Sequence, residues 1–241
     1  MSNAANAQRF WADSSVSLLY GEDYAMTPFQ FDGEETAMTT MTLEHVSGYD
    51  WGGIFFFVDR NVGEEDFNET YGEFSPKYIL FTPAEGGLIK TVNAAFTYEF
   101  GTSYTGSSGS GFSQDNYLYG IGADLNVPGM NFMSLTYYYS QRNNTFYNGD
   151  NDHQLTLTYG WSQGNFNIDG FLDWSTGTDK HDAEFNFTPQ LTYNIAPALG
   201  LTEKLKVGIE YSYWNNKFGG KGLDDKIDDQ NAISLLIKAH I

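Results

Sequence analysis

Residues 154–161 read Gln154-Leu155-Thr156-Leu157-Thr158-Tyr159-Gly160-Trp161. Leu155, Leu157, Tyr159 and Trp161 fall on one side of an extended chain, and Gln154, Thr156, Thr158 and Gly160 on the other. Such strict alternation marks a strand with one apolar and one polar face. Asn151, Asp152 and His153 before it read as loop. The segment that follows, Gly160-Trp161-Ser162-Gln163-Gly164, matches the Gly-x-Ser-x-Gly string of hydrolases. A nucleophile elbow, however, leads from a strand into a helix, and the residues after Gly164 alternate again. The string is therefore a tight turn between two strands.

The same period of two runs through the whole chain. Working toward the N-terminus, Met133, Leu135, Tyr137 and Tyr139 alternate with Ser134, Thr136, Tyr138 and Ser140. Tyr117, Tyr119, Ile121, Ala123 and Leu125 oppose Gly120, Gly122, Asp124 and Asn126. Val92, Ala94, Phe96, Tyr98 and Phe100 oppose Thr91, Asn93, Thr97 and Glu99. Residues 70–81 set Phe74, Pro76, Tyr78 and Leu80 against Glu73, Ser75 and Lys77. Residues 51–60 set Gly52, Ile54, Phe56 and Val58 against Gly53, Phe55, Phe57 and Asp59. Thr39, Met41 and Leu43 alternate with Thr40, Thr42 and Glu44, and Val16, Leu18 and Tyr20 share a face in the first strand.

Toward the C-terminus, Phe166, Ile168, Gly170, Leu172 and Trp174 oppose Asn165, Asn167, Asp169, Phe171 and Asp173. Phe185, Phe187, Pro189, Leu191 and Tyr193 oppose Asn186, Thr188, Gln190 and Thr192. Leu205, Val207, Ile209, Tyr211 and Tyr213 oppose Lys206, Gly208, Glu210 and Ser212. Ile233, Leu235, Ile237, Ala239 and Ile241 oppose Ser234, Leu236, Lys238 and His240. The pattern predicts about twelve strands of roughly ten residues, the length that crosses a bilayer when tilted.

The connections alternate in length. Residues 47–50, 83–87, 127–129 and 162–164 are tight turns, and residues 195–203 are intermediate, with room for one helical turn at Ala196-Pro197-Ala198-Leu199. Between them come longer polar stretches at 21–35, 61–69, 101–114, 142–153, 175–183 and 215–229. These hold much of the acid, including Glu64-Glu65-Asp66, Asp224-Asp225 and Asp228-Asp229. Short turns on one rim and long loops on the other predict an all-β fold: a single antiparallel transmembrane β-barrel with short periplasmic turns and long extracellular loops. The competing arrangement, a soluble sandwich, would bury the apolar faces sheet against sheet. A dozen such faces make an oversized single core, and Tyr20, Tyr98, Tyr117, Trp161, Trp174, Tyr193 and Tyr213 at strand ends suit membrane interfaces.

Composition supports this and narrows the function. The chain has 241 residues with no cysteine, so disulfides and thiolate metal sites are absent. Lys+Arg 12 against Asp+Glu 31 gives a net charge of −19, which excludes a basic footprint for nucleic acid. No apolar run is long enough for a membrane helix, which bears on helices alone. Met1-Ser2-Asn3-Ala4 reads as a tag remnant, and Ala5-Asn6-Ala7 has the small-x-small form of a signal-peptidase site. Residues 1–7 are expected to be a tag or signal-peptide remnant, and residues 8–241 the barrel.

No catalytic or metal-binding motif stands out, and the expectation is a non-enzyme without cofactor. His45, His153, His181 and His240 are scattered, and His181, between Asp179 and Asp182, reads as a residue of a solvated loop. Asp169 and Asp173 are paired acids of the kind a glycosidase uses, but they sit two strand periods apart on one face and read as ordinary members of it. The polar faces carry charge in mid-strand: Glu44, Asp59, Glu73, Lys77, Glu99, Asp124, Asp169, Asp173, Lys206, Glu210 and Lys238. More informative are aromatics on that same face, Phe55, Phe57, Tyr138, Phe171 and Trp214. They serve either to pack against an inward loop or to stack flat solutes weakly and repeatedly, as a facilitating pore requires.

Several of these segments resemble a known family. Glu44 with Trp51, Phe55-Phe56-Phe57-Val58-Asp59, Tyr71-Gly72-Glu73 and Ser75-Pro76 resemble the first half of the Tsx-like nucleoside-specific channel family. Gly120-Ile121-Gly122-Ala123-Asp124, the run from Gly208 to Gly219, and Gly222-Leu223-Asp224-Asp225 are similar to its later strands. The resemblance spans most of the chain and implies a monomeric, narrow outer-membrane barrel that passes nucleosides. One departure is the end of the chain, Ala239-His240-Ile241, where such barrels carry an aromatic residue.

The expected function is diffusion of small neutral solutes, most of all nucleosides, through an outer-membrane channel. Phe55, Phe57 and Trp214 would stack on the base, with Phe171 beside them in the lumen. Asp59, Glu73, Asp124, Asp169 and Glu210 would meet ribose hydroxyls or base N–H groups, and Lys77 and Lys206 would balance charge and narrow the bore. The alternatives are a plugged structural or adhesion barrel whose acidic loops bind Ca²⁺ or a partner, and a secreted carbohydrate-binding sandwich.

Overall fold

The computed structural model describes residues 7–26, 35–106, 109–145, 148–219, 221 and 229–241. Twelve strands follow one another: β1 (Arg9–Ala25), β2 (Glu35–Tyr49), β3 (Gly52–Gly63), β4 (Phe67–Phe81), β5 (Ile89–Thr105), β6 (Ser110–Leu125), β7 (Phe132–Gln141), β8 (Asp152–Gln163), β9 (Phe166–Ser175), β10 (Glu184–Asn194), β11 (Leu205–Asn215) and β12 (Gln230–His240). Each pairs antiparallel with its sequence neighbours, and β1 pairs with β12, so the sheet closes on itself. A closed barrel leaves no strand edge unpaired, as a hydrocarbon surrounding demands. The single helical turn α1 (Ala196–Leu199) lies in the β10–β11 connection, where the sequence had room for it, and ends on Gly200 at φ 69°. Gly164, at φ 60°, likewise makes the β8–β9 connection a turn rather than a nucleophile elbow.

The apolar face of every strand points outward. Leu18, Tyr20, Met41, Leu43, Phe74, Tyr78, Leu80, Ile121, Leu135, Leu191, Ile233 and Ile237 are all exposed on that surface. This overturns the sandwich: the Leu, Ile and Phe rows do not meet in a dry interior, and the polar rows face the lumen. The belt is what a bilayer covers. Leu235, at the centre of β12, is the clearest probe, being 69% exposed while the next residue, Leu236, faces inward and is buried. Leu235→Arg is expected to lower the free energy of unfolding from vesicles by about 2–4 kcal/mol. Urea titration in liposomes measures it, and a variant as stable as the wild type would mean that this row does not meet hydrocarbon.

The strands are longer than the alternation alone marks. β1 and β5 have 17 residues, β6 has 16, and β2 and β4 have 15. Residues 21–25, 61–63, 67–69, 101–105 and 110–114, within stretches that read as loops, are therefore strand, and β3 and β4 are joined by residues 64–66 alone. The reason is physical. Above the membrane the outer face no longer meets hydrocarbon, so the apolar alternation stops while the backbone ladder continues. Asn126 lies just past β6 and not on its polar face. Residues 1–6 of the expected N-terminal remnant lie outside the described residues. So do Asp224, Asp225 and Asp228 and the Gly222-Leu223-Asp224-Asp225 motif.

Candidate functional site: the lumen

The register places every residue expected in the lumen on the inner face. On β3 and β4, Phe57 lies directly between Glu44 of β2 and Glu73 of β4. Its ring stands 5.7 Å from that of Phe55 and 5.7 Å from that of Tyr71. The three rings form a strip up the wall, flanked by carboxylates. Tyr71 was not among the residues expected there, although it stands two residues before Glu73 and so shares the parity of the polar face. Its hydroxyl donates to Glu73 at 2.8 Å, which anchors the strip to the acid beside it. Asp59 accepts from Thr42 at 2.6 Å.

Acidic groups continue around the middle of the lumen. Glu73 is directly opposite Glu99 on β5, and both interact electrostatically with Asp173 of β9. Glu210 of β11 is near enough to Asp59 to act on it as well. Neutral side chains donate to these acids: Asn116 to Glu99 at 3.0 Å, Thr156 to Asp173 at 2.5 Å and Gln190 to Glu210 at 2.8 Å. Asp169 shares the inner face of β9 with Phe171 and Asp173, opposite Gln190 and Thr188 of β10.

The lysines are gathered at the turn-side end. Lys77 reaches diagonally over β5, where only Ala95 opposes it, to Asp124 of β6 at 2.6 Å. Asp124 also accepts from Thr91 at 2.8 Å, so it is engaged within the wall. Lys238 reaches across the small Ser15 and Ser17 of β1 to Glu44 at 3.2 Å. Lys206 lies directly opposite Lys238, and both lie within the field of Asp169. The lumen is thus polarised along its axis, lysine toward the turns and unneutralised acid toward the middle.

The structure does not gather all the expected residues into one place. Phe55, Phe57, Glu73 and Asp59 adjoin one another. Trp214 is on β11 near the loop rim, opposite Asn186 and Gln230, with the Lys217 ammonium 5.9 Å from its ring centroid. Phe171 is on the β9 wall, opposite Thr158 and Thr188. Tyr138 lies flat against Gly120, where a Cβ would come within 2.5 Å of its ring, and so does not project into the bore.

The loop-side mouth is narrowed from two sides. Tyr24, Met26, Met38, Phe67 and Ala232 form a buried apolar cluster on one. On the other, Arg142 turns inward and binds Asp152 at 2.8 Å and Glu184 at 3.0 Å, spanning β8 to β10 across β9. His181 is not the solvated loop residue its neighbours Asp179 and Asp182 suggest. It is buried against Asp150 of the β7–β8 connection and Asp152 at the start of β8, which tertiary structure brings to it. Neither Arg142 nor this use of His181 carries a local signal in the sequence. Among the described residues no group of three His, Asp or Glu side chains is arranged to hold a metal ion.

No family model matches the chain, and no curated protein sequence matches it. Among solved structures it is similar to the NanC porin, with 13% identity, 94% of this chain and 98% of that chain covered, and a TM-score of 0.51. It is also similar to the KdgM porin, at 12% identity, 93% and 98% coverage and a TM-score of 0.49. OprD of Pseudomonas aeruginosa matches at 7% identity, with 100% and 98% covered and a TM-score of 0.38. At these identities the likeness is one of fold.

Proposed function

We propose that this barrel is a monomeric outer-membrane channel for small solutes that are neutral or cationic, and that nucleosides are the solutes it favours. The observation that carries the reading is Phe57, held between two rings and between two carboxylates on an inner wall. A planar base has a face to stack on there, and its ribose hydroxyls and N–H groups have acceptors in Glu44, Glu73 and Asp59. Stacking of this kind contributes about 1–3 kcal/mol and accepts any base. That is weak enough for a solute to leave, as passage requires. The excess of carboxylate in mid-lumen disfavours anionic solutes by like-charge repulsion. The porin-like course of the chain agrees with the outer-membrane location, as does the apolar belt.

Planar-bilayer recording with adenosine tests this. Adenosine is expected to interrupt the current in a concentration-dependent way, and Phe57→Ala to raise the blocking concentration by roughly tenfold, the equivalent of about 1.4 kcal/mol of stacking. Conductance that adenosine does not affect would remove nucleosides from the reading while leaving the channel. A second reading, a plugged structural barrel, is favoured by the apolar cluster of Tyr24, Met26, Met38, Phe67 and Ala232 on the inner side of the loop rim. It predicts inserted protein without conductance.

A further inference from the structure

One imidazole ties two loop-side connections to the lumen wall. His181, in the β9–β10 connection, is 0% exposed. Its Nδ1 lies 2.8 Å from the Asp150 carboxylate of the β7–β8 connection, and its Nε2 lies 3.3 Å from Asp152 at the start of β8. Thr178 hydrogen-bonds both Nδ1 and Asp150. Beneath the imidazole, Asp152 also accepts from the Arg142 guanidinium, which lies within electrostatic reach of Glu99 on β5. The β11–β12 connection joins the same group: Asp182 N–H donates to the Gly219 carbonyl at 3.0 Å, Asn216 to the Ala183 carbonyl at 2.7 Å, and Lys221 to the Thr178 carbonyl at 2.6 Å.

The charged and titratable groups around His181, among the described residues, are Asp150 and Arg142 from the β7–β8 connection, Asp152 from β8 and Glu184 from β10. Lys221 comes from the β11–β12 connection, and Asp179, Lys180 and Asp182 from its own. Two carboxylates accept from one ring. Only the imidazolium donates from both nitrogens, whereas a neutral ring leaves one carboxylate facing a lone pair. Burial alone would disfavour the charged ring, but the hydrogen bonds to Asp152 and Asp150 outweigh it, so the imidazole holds its proton above its ordinary range. Asp150, despite partial burial, is held below the usual carboxylate range by Thr178 and His181.

We propose that His181 is a pH-operated latch of the channel mouth: charged, it pins the β7–β8 and β9–β10 connections over the lumen wall, and on losing its proton it releases them. The sign follows from linkage. A basic group raised in the folded state stabilises most when pH lies below its unfolded value, about 6.5, and that stabilisation is lost as pH rises through the raised value. The mouth is therefore narrower in acid and wider in mild alkali.

The consequence for current rests on the channel reading, and the release of the loops does not, so two readouts are used. Hydrogen exchange of the Thr178 and Asp182 amides, corrected for intrinsic rates, is measured at pH 5.5 and pH 8 for the wild type and for His181→Asn. Single-channel conductance is measured for the same proteins at the same pH values. Protection is expected to fall at pH 8 in the wild type and to stay at the low level at both pH values in the variant. Conductance is expected to step upward with pH in the wild type, and the step is expected to be lost in the variant. The milder Asp150→Asn, which keeps the ring and a carboxylate on its far side, is expected to move the step to lower pH. Protection that ignores pH, or that changes equally in His181→Asn, overturns the latch. Conductance without a step, beside released loops, overturns its action on the mouth. Absence of conductance at every pH, with the exchange result intact, overturns the channel reading instead.

Discussion

With KCl more concentrated on one side of a planar bilayer at pH 8, the dilute side is expected to turn positive across the reconstituted barrel. In the triple variant Glu73→Gln, Glu99→Gln and Asp173→Asn, that potential is expected to fall toward zero. The three carboxylates come from β4, β5 and β9 and act on one another electrostatically through the lumen. Their hydrogen-bond donors are the neutral Tyr71, Asn116 and Thr156. Lys77, Lys206 and Lys238 lie near the turn-side ends of β4, β11 and β12, where Lys77 is taken up by Asp124 and Lys238 by Glu44. A low-dielectric wall focuses the field of fixed charges into a narrow bore, so mobile cations concentrate there and anions are depleted. Amide replacements keep shape and hydrogen-bonding capacity and remove only charge, so the change reports the field. Zero potential in the wild type, or an unchanged one in the variant, would show that these acids do not set the selectivity. Lys77→Met, which leaves Asp124 without its cation, is expected to move the potential the opposite way from the triple variant.

The strands and their faces were legible because the signal repeats. In β12, Ile233, Leu235 and Ile237 against Ser234, Leu236 and Lys238 give the period, and the same period recurs until only a barrel accommodates the count. Inward placement of Phe55, Phe57, Phe171 and Trp214 followed from parity alone. Three things were not legible, each for a stated cause. The upper parts of β1, β4 and β5 carry no row of lipid-facing residues because no hydrocarbon meets their outer face, so they read as loops. Contacts that skip a strand, such as Lys77 with Asp124 over Ala95 or Lys238 with Glu44 over Ser15 and Ser17, depend on how the sheet closes and staggers, which parity does not encode. The mouth was least legible of all: Arg142 and His181 sit in connections, and their partners Asp150, Asp152 and Glu184 come to them through tertiary folding. For the same reason Phe55 and Trp214, alike in parity, proved to stand at different depths.

Arg142→Met is expected to be the most destabilising single change in the molecule, by about 3–5 kcal/mol, since it removes the cation from a buried ionic group. The Arg142 side chain is 13% exposed, that of Asp152 0% and that of Glu184 14%, at 2.8 Å and 3.0 Å from the guanidinium. Without it, two carboxylates on β8 and β10 are left beside Ser175 of β9, with the His181 imidazole bonded to one of them, Asp152. Arg142→Lys is expected to recover part of the loss: the charge remains, but a single ammonium does not reproduce a fork that binds Asp152 through both Nε and Nη2. Lys77→Met is the control, because its side chain is 40% exposed, and an exposed pair contributes under about 1 kcal/mol. The decisive comparison is the triple variant Arg142→Met, Asp152→Asn and Glu184→Gln. If the cost of Arg142→Met comes from uncompensated charge, removing the acids as well returns most of the stability, because a whole buried ionic group is far less costly to replace than to break. If the cost comes from lost packing of the long side chain, the triple variant stays as unstable as the single one. Urea unfolding in liposomes distinguishes the two, and an Arg142→Met variant no weaker than Lys77→Met would refute the electrostatic account of the mouth altogether.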